Sequence, residues 1–142
     1  MTWLPRHKVL VPIDFSEASL AAVEVGLALV DEPSHLYVLH VTPALVAGDP
    51  GFPWNPLGEP TQRAQLTTEM QACLAQPIES GVQTEVAFGD PGTQIAEFAE
   101  KGEFDLIVMP SHGRTGLTRI LIGSVAERVT RLAHCPVLIL RS

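Results

Sequence analysis

Five short apolar runs, separated by segments with helical periodicity, constrain the fold of this chain more than any other feature of its sequence. The runs are Lys8–Ile13, His35–Val41, Val82–Phe88, Asp105–Met109 and Pro136–Leu140. In Lys8–Ile13 the apolar residues are continuous rather than alternating, which is typical of a strand that is covered on both faces. Because strands alternate with helices, the sequence predicts an α/β fold: one open five-stranded parallel sheet with helices on both faces, in a single domain over residues 1–142.

Helices are predicted between these strands. Apolar residues at helical spacing predict the first helix over Glu17–Val30, with Ser16 at its N-cap. Pro77 should kink or end the second helix, because proline lacks an N–H and its ring clashes with the preceding turn. The turn Gly89–Gly92 precedes the third helix. The second, third and last helices are predicted over Thr61–Ser80, Thr93–Lys101 and Val125–Leu132.

The segment Thr42–Pro60 carries five prolines and three glycines, a composition that predicts a long loop without regular structure. Loops of this length inside a compact domain are usually functional or mobile. Trp54 at its middle either anchors the loop to its own domain, which general loop behaviour favours, or closes as a lid or contacts a partner.

Charge and hydropathy exclude several classes of partner. The net charge is -7 and only nine residues are Lys or Arg, so a groove for DNA or RNA is not expected. A single phosphorylated metabolite remains compatible, since backbone N–H groups bind anions whatever the net charge. Met1–Arg6 lacks the apolar run of a signal peptide and no stretch reaches the roughly 18 apolar residues of a membrane span, so we expect a cytoplasmic protein without membrane insertion.

The two cysteines, Cys73 and Cys135, are isolated and lack the spacing of a metal site. Cysteine often serves as a small buried hydrophobe, and we predict that role for both.

The segment Pro110–Ser124, between the fourth strand and the last helix, predicts an anion site. Glycine lets a backbone approach an anion closely, and a helix N-terminus offers unpaired N–H groups with a partial positive charge. Ser124 is placed to cap that helix and to turn its hydroxyl toward a phosphate oxygen, while Arg114 and Arg119 offer charge-assisted contacts.

Each of these residues also has an ordinary interpretation when taken singly. Gly113 and Gly116 suit turns, Gly123 suits a junction, and a lone histidine such as His112 more often caps or packs than catalyses. Two familiar phosphate motifs are absent from the sequence: no Lys follows the glycines as in a Walker A loop, and no G-x-G-x-x-G follows the first strand.

Three segments are predicted to meet at one edge of the sheet. Ligands of open α/β sheets bind beyond the carboxyl ends of the strands, where the strand order reverses. The segments at those ends are Ile13–Asp14, Val41–Thr42 and Met109–Gly113.

Several peptides then resemble one family. Ser-His-Gly-Arg-Thr-Gly-Leu (111–117), Gly-Ser-Val-Ala-Glu-Arg-Val (123–129) and Cys-Pro-Val-Leu (135–138) resemble the C-terminal third of the universal stress proteins. Val-Pro-Ile-Asp-Phe-Ser (11–16), His-Val (40–41) and Gly-Asp-Pro (89–91) resemble landmarks of the same family, so the resemblance extends over nearly the whole chain. It implies a Rossmann-like sheet and, for the ATP-binding branch, ATP or AMP as the ligand.

That branch carries a glycine, two residues, a second glycine, nine residues, a third glycine and then Ser or Thr. The second and third glycines correspond to Gly113 and Gly123, followed by Ser124, whereas Pro110 replaces the first. Proline has no N–H to donate, so any contact through that amide is lost. The resemblance implies adenine near Asp14 and Val41, ribose near Pro110 and phosphates near the glycines, with a nucleotide-binding set of Pro12, Ile13, Asp14, Val41, Met109, Pro110, His112, Gly113, Arg114, Gly116, Gly123, Ser124 and Val125.

Three hypotheses for function follow. The first is a regulatory or sensor homodimer that binds ATP or AMP during stress, pairs through the terminal strand Pro136–Leu140 as the resemblance implies, and acts on an unidentified protein. The second is an interaction protein of the same fold without nucleotide, which Pro110 favours. The third is a slow ATPase or self-phosphorylating protein. Neither paired carboxylates nor a nucleophile triad can be assembled from spacing, so we assign no catalytic residue and no metal ligand, and a role for Mg²⁺ stays open.

Overall fold

Five parallel strands form one sheet in a computed structural model of the chain, which describes residues 3–43, 58–112 and 122–141. The predicted sheet is confirmed, and every strand begins and ends within one residue of its predicted bounds. Trp54 and the loop residues Gly113, Arg114, Gly116 and Arg119 lie outside the described residues. The strands are β1 (Val9–Ile13), β2 (Leu36–Thr42), β3 (Gln83–Phe88), β4 (Leu106–Pro110) and β5 (Val137–Leu140).

The order of the strands places a switch point beside β1. The sheet runs β3-β2-β1-β4-β5, so the chain first builds outward from β1 to β3 and then crosses to the other side for β4 and β5. Register pairs Val9 with Leu36 on one side and with Leu106 on the other. The carboxyl ends of β1 and β4 therefore diverge into connections on opposite faces, which opens a crevice between them.

Two helices begin with caps that their sequences encode. In α1 (Glu17–Leu29) the hydroxyl oxygen of Ser16 accepts the Ser19 N–H at 3.1 Å, which confirms the predicted N-cap. In α4 (Pro91–Lys101) the helix begins two residues earlier than predicted, because Asp90 caps it and Pro91 takes the first position. A proline is accommodated there, since the first N–H groups of a helix have no intrahelical acceptor.

The prediction of one helix over Thr61–Ser80 is wrong. The segment forms α2 (Gly58–Cys73) and α3 (Ala75–Ser80), and the break falls at Leu74 rather than at Pro77. Pro77 is the third residue of α3, where its missing N–H again costs no intrahelical bond. The same reasoning explains why α2 begins inside the predicted loop, with Pro60 as its third residue. A short 3-10 helix, Pro33–His35, also precedes β2.

The core consists of two layers, one on each face of the sheet. Val11, Val38 and Val108 face α1 and α2, while Leu10, Leu39 and Ile107 face α4 and the last helix, α5 (Ser124–Leu132). All six side chains are fully buried. This alternation explains the continuous apolar runs of β1 and β4, since both faces of these strands are covered. None of the helices in the described parts of the chain is long and apolar enough to cross a bilayer.

The cysteines differ from the prediction. Cys73 is exposed, so its assignment as a buried hydrophobe is wrong. The buried residues at this end of α2 are Met70 and Leu74, four residues apart, and Cys73 lies beside this stripe rather than on it. Cys135 is partly buried, and this burial raises the pKa of its thiol.

Candidate functional site

A cavity of about 800 Å³ opens at the carboxyl ends of β1 and β4. Its volume is within the range of roughly 300–1,000 Å³ that small-molecule sites occupy. Every residue of the predicted nucleotide-binding set that the structure describes lines this cavity. These residues are Pro12, Ile13, Asp14, Val41, Met109, Pro110, His112, Gly123, Ser124 and Val125. Their common location is an observation, whereas their role in binding stays a prediction.

Sequence reasoning missed several residues of the lining. Ser19 and Pro91 follow the N-caps of α1 and α4, so a rule that the first turns of these helices face the switch point would have found them. Ser111 and Ile122 lie inside the segment that was singled out. Ile95 and Ala126 are helix positions that only the packing of α4 and α5 brings to the cavity. The missed residues are Ser19, His40, Pro43, Pro91, Ile95, Ser111, Ile122 and Ala126.

The turn after β1 fixes Asp14 through a closed set of hydrogen bonds. The Ser16 N–H donates to Asp14 Oδ1 at 3.0 Å, and the Asp14 N–H donates to Ser19 Oγ at 3.2 Å. The Ser19 hydroxyl, only 2% exposed, donates in turn to the Ser16 carbonyl at 2.9 Å. Phe15 adopts φ +65° within this turn, a left-handed conformation that is unusual for an aromatic residue. The backbone and the carboxylate of Asp14 are thus both held in place.

His40 presents a defined ring nitrogen at the same edge. Its Nδ1 lies 2.8 Å from the Ile13 carbonyl oxygen, which can only accept, so Nδ1 carries the proton. In the neutral ring, Nε2 is therefore the acceptor. The ring of Phe15 packs against it at a centroid distance of 4.7 Å, which fixes the plane of the imidazole.

The N-terminus of α5 (Ser124–Leu132) faces the cavity, and here the predicted cap is wrong. Gly123 is the N-cap residue and Ser124 is the first helical residue, because the Gly123 carbonyl already accepts the Glu127 N–H at 2.9 Å. Gly123 has no side chain to satisfy the first turn, in contrast to Ser16 in α1 and Asp90 in α4. The first N–H groups of α5 have no acceptor within the helix, so they are available to an anion.

Gly123 is held against the end of β4. Its N–H donates to the Ser111 carbonyl at 2.6 Å, and a Cβ at this position would lie 2.8 Å from that same oxygen. The backbone angles of φ -62° and ψ 157° suit any residue. Glycine is therefore required by lack of space rather than by conformation.

Charge in the cavity comes mainly from Asp14. Among the lining residues that the structure describes, none is Lys or Arg, and Arg114 and Arg119 lie outside the described part of the chain. His112 Nε2 is buried and has no hydrogen-bond partner among the described residues. In the same parts of the chain, no group of three or more His, Cys, Asp or Glu side chains is arranged to hold a metal ion.

A polar cluster joins the N-terminus of α4 to Arg128 in the second turn of α5. Asp90 Oδ2 accepts from the Thr93 N–H at 3.0 Å, from the Thr93 hydroxyl at 2.8 Å and from Arg128 Nη1 at 2.9 Å. These three donors, with the Thr93 N–H first, lower the pKa of Asp90. Asp90 therefore stays ionised while it caps α4.

Comparison with solved structures places the fold. The universal stress protein UspA from Lactobacillus plantarum superposes with a TM-score of 0.76 at 24% identity, over 96% of this chain and 98% of that one. An Arabidopsis thaliana family protein with AMP bound gives 0.61 at 20% identity over 96% and 92%. An Archaeoglobus fulgidus universal stress protein in complex with dAMP gives 0.57 at 22% over 97% and 100%. A universal stress protein in complex with cAMP gives a TM-score of 0.65 at 22% identity, over 96% of this chain and 98% of that one.

Comparison of sequences identifies the family. The model of the universal stress protein family matches residues 5–141. The universal stress protein MJ0531 of Methanocaldococcus jannaschii is 37% identical over 139 residues, which cover 94% of this chain and 81% of the relative. YxiE of Bacillus subtilis is 32% identical over 148 residues, covering 95% and 99%. This chain belongs to the universal stress protein family.

Proposed function

We propose that the chain binds an adenine nucleotide, ATP or AMP, in the cavity at the carboxyl ends of β1 and β4. The observation that carries this proposal is the N-terminus of α5, where Gly123 leaves the first turn without a side-chain cap and faces the cavity. An anion at that point accepts from backbone N–H groups and gains from the helix dipole. The nucleotides held by related structures support adenine as the base.

Within this proposal the two ends of the cavity have different tasks. The base lies against Asp14 and Val41, and the ribose lies near Pro110. The phosphate lies at the first turn of α5, beside Gly123 and Ser124. Loop residues Gly113, Arg114 and Gly116 are proposed to complete the phosphate end.

The ligands of the related structures indicate the smallest nucleotide to test. AMP, dAMP and cAMP share the adenine base and a phosphate on the 5′ oxygen, while the 2′ and 3′ oxygens differ among them. We therefore expect AMP to bind without Mg²⁺. ATP would add two phosphates toward α5, and Mg²⁺ would then affect ATP more than AMP, since it bridges β- and γ-phosphate oxygens.

The first experiment denatures the purified protein and separates the released small molecules by chromatography. AMP, ADP or ATP in the supernatant supports the proposal. Calorimetric titration of nucleotide-free protein with AMP and with ATP, each with and without Mg²⁺, then measures the affinities. Absence of released nucleotide together with absence of heat would refute nucleotide binding.

Pro110 favours a second candidate, an interaction protein of the same fold that holds no nucleotide. It is the last residue of β4, it lines the cavity, and it has no N–H to offer a ligand. Under this alternative Pro110→Gly creates nucleotide binding that the natural chain lacks. Under nucleotide binding, Pro110→Gly only maintains or strengthens an affinity that is already present, so the same titration separates the two.

We also propose that the chain acts as a regulatory homodimer in the stress response, through the edge strand β5. The Ile107 N–H donates to Pro136 and the Ser111 N–H to Leu140, so alternate residues of β5 face β4. The intervening residues, Val137 and Ile139, direct their backbone groups outward from the edge. An edge of this kind pairs readily with another strand.

Sedimentation at micromolar concentration tests the dimer. Ile139→Pro removes an outward N–H and should yield monomers. Ile139→Ala keeps that N–H, so it should lose side-chain packing but keep the pairing of the strands. A strictly monomeric natural chain, or a dimer that survives Ile139→Pro, would exclude pairing through β5. The regulated protein is to be sought with the dimer, with and without AMP.

A further inference from the structure

The N-termini of α4 and α5 lie side by side at the cavity. Pro91, the first residue of α4, lines it together with Ser124, Val125 and Ala126 from the first turn of α5. The position of α5 relative to α4 therefore fixes where its free N–H groups point. One side chain, Arg128, joins the two helices at this place.

Arg128 makes two different contacts with the first turn of α4. Its Nη1 donates to Asp90 Oδ2 at 2.9 Å. Its aliphatic stem lies over Gly92, where an added Cβ would stand 2.7 Å from the Cβ, Cγ and Cδ atoms of Arg128. Side chains on a helix lean toward its N-terminus, so the Arg128 side chain reaches back along the turn whose N–H groups face the cavity.

We propose that Gly92 and Arg128 are positioning residues that set the N-terminus of α5 against the cavity and thereby set its affinity for the nucleotide phosphate. This inference rests on the proposed function. Gly92 supplies the space that lets α5 approach α4 closely, and the Asp90–Arg128 contact fixes the direction of approach. A displacement of the first turn moves its donors out of the narrow range of about 2.7–3.2 Å in which N–H groups bond oxygen.

Packing contributes more than charge to the contact of Arg128 with the first turn of α4. The Asp90 and Arg128 side chains are 49% and 47% exposed, and ion pairs at such exposure stabilise little. Gly92, in contrast, is buried, and the three stem carbons of Arg128 occupy the position of its absent side chain. Arg128 also offsets the charge of Asp90, which would otherwise repel an anion close to α4.

Gly92→Ala is the sharpest test, because alanine favours a helix over glycine and should not weaken α4 itself. The added Cβ should instead push Arg128 and the first turn of α5 away. We expect the dissociation constant for AMP, measured by calorimetry, to rise about tenfold, and the urea midpoint of unfolding to fall because the added Cβ overpacks the contact with Arg128. Arg128→Gln should weaken AMP binding to a similar extent, and Arg128→Lys should recover part of it.

A matched control lies one turn further along α5. Arg131 pairs with Glu127 at 3.8 Å on the exposed side of the helix, so Arg131→Gln also removes an ion-paired arginine. We expect it to bind AMP as the natural chain does. AMP binding that is unchanged in both Gly92→Ala and Arg128→Gln would overturn the proposal.

Amide hydrogen exchange on nucleotide-free protein gives a readout that does not depend on nucleotide binding. Glu127 donates from α5 to the Gly123 carbonyl, and this first intrahelical bond should open more often when Arg128 is replaced by Gln. Faster exchange at Glu127 in Arg128→Gln than in Arg131→Gln supports the positioning role, and equal exchange overturns it. Failure of the natural chain to bind AMP would instead refute the proposed function, and exchange would still decide the role of Arg128.

Discussion

Replacement of Gly123 by valine gives the most direct test of the proposed phosphate end of the cavity. A Cβ at this position would lie 2.8 Å from the Ser111 carbonyl oxygen and 3.6 Å from the Cα of His112. Both neighbours belong to backbone at the end of β4, so neither can rotate away as a side chain would. The branched side chain of valine adds two further carbons to the same confined space.

The size of the expected effect follows from how far the added Cβ falls short of a normal contact distance. Ordinary contacts between non-bonded heavy atoms lie near 3.5 Å, about 0.7 Å more than the 2.8 Å available here, so α5 or the end of β4 must move by roughly that distance. Such overpacking costs about 1–3 kcal/mol of stability. The same movement lengthens the Gly123 to Ser111 hydrogen bond and shifts the free N–H groups of α5, and a loss of about 1.4 kcal/mol there lowers nucleotide affinity tenfold. We therefore expect AMP affinity to fall at least tenfold.

Urea denaturation and calorimetric titration with AMP measure the two effects separately. Gly26→Ala is the matched control, because its Cβ would lie 2.9 Å from Val11 Cγ2 and 3.0 Å from Leu36 Cδ1, inside the core and away from the cavity lining. It should lose stability but keep AMP affinity. If Gly123→Val binds AMP as tightly as the natural chain, the phosphate site has been placed wrongly.

Three further predictions concern other parts of the molecule. Hydrogen bonds from His7 and then His35 lower the pKa of Asp31 from 3.8 to about 2, and the hydrogen bond to Asp31 raises the pKa of His35 above 6.5. The contribution of Asp31 to stability is lost as pH falls below 3.8, and that of His35 is lost as pH rises above 6.5. The urea midpoints of the natural chain and of Asp31→Asn should therefore differ most between pH 3.8 and pH 6.5. Pro110→Gly should lower the unfolding free energy by about 0.5–1 kcal/mol, since glycine weakens a strand, while calorimetry finds AMP affinity equal or higher; weaker binding would contradict the assignment of Pro110 to the ribose end. Leu10→Ala, in the fully buried layer beneath α4 and α5, should cost about 2–5 kcal/mol in urea denaturation, and a loss below 1 kcal/mol would show that the layer repacks.

The central strands β1 and β4 could be predicted from the sequence because burial on both faces leaves a continuous apolar run. The alternation of strands with helices predicted the parallel arrangement. The N-cap of α1 could be predicted as well, since Ser16 acts through atoms only three residues away. Predictions of helix boundaries failed where proline was taken as a helix breaker. Pro60 and Pro77 both occupy the third position of a helix, and their local sequences do not reveal where each helix begins.

The cap of α5 failed for a related reason. Ser124 has the composition of an N-cap, but the hydrogen bond from Gly123 to the Ser111 carbonyl fixes the glycine at the end of β4 and starts the helix one residue earlier. That bond joins two residues twelve positions apart, beyond the reach of a local capping pattern. The preferences of residues for the N-cap position cannot predict this bond, because they describe the local backbone conformation and not the neighbouring segments that pack against it.

The sequence by itself determined the class of fold and the family to which the chain belongs, and it predicted the edge of the sheet at which the cavity is found. The spacing of apolar runs predicts the fold class, the topology rule for parallel sheets predicts the edge, and a set of short peptides indicates the family. Only the tertiary structure decided that Gly123 is required for lack of space and that Arg128 lies against Gly92 across two helices. The physical reason is that close packing depends on distances between residues far apart in the chain, and these are fixed only when the sheet and both helix layers assemble.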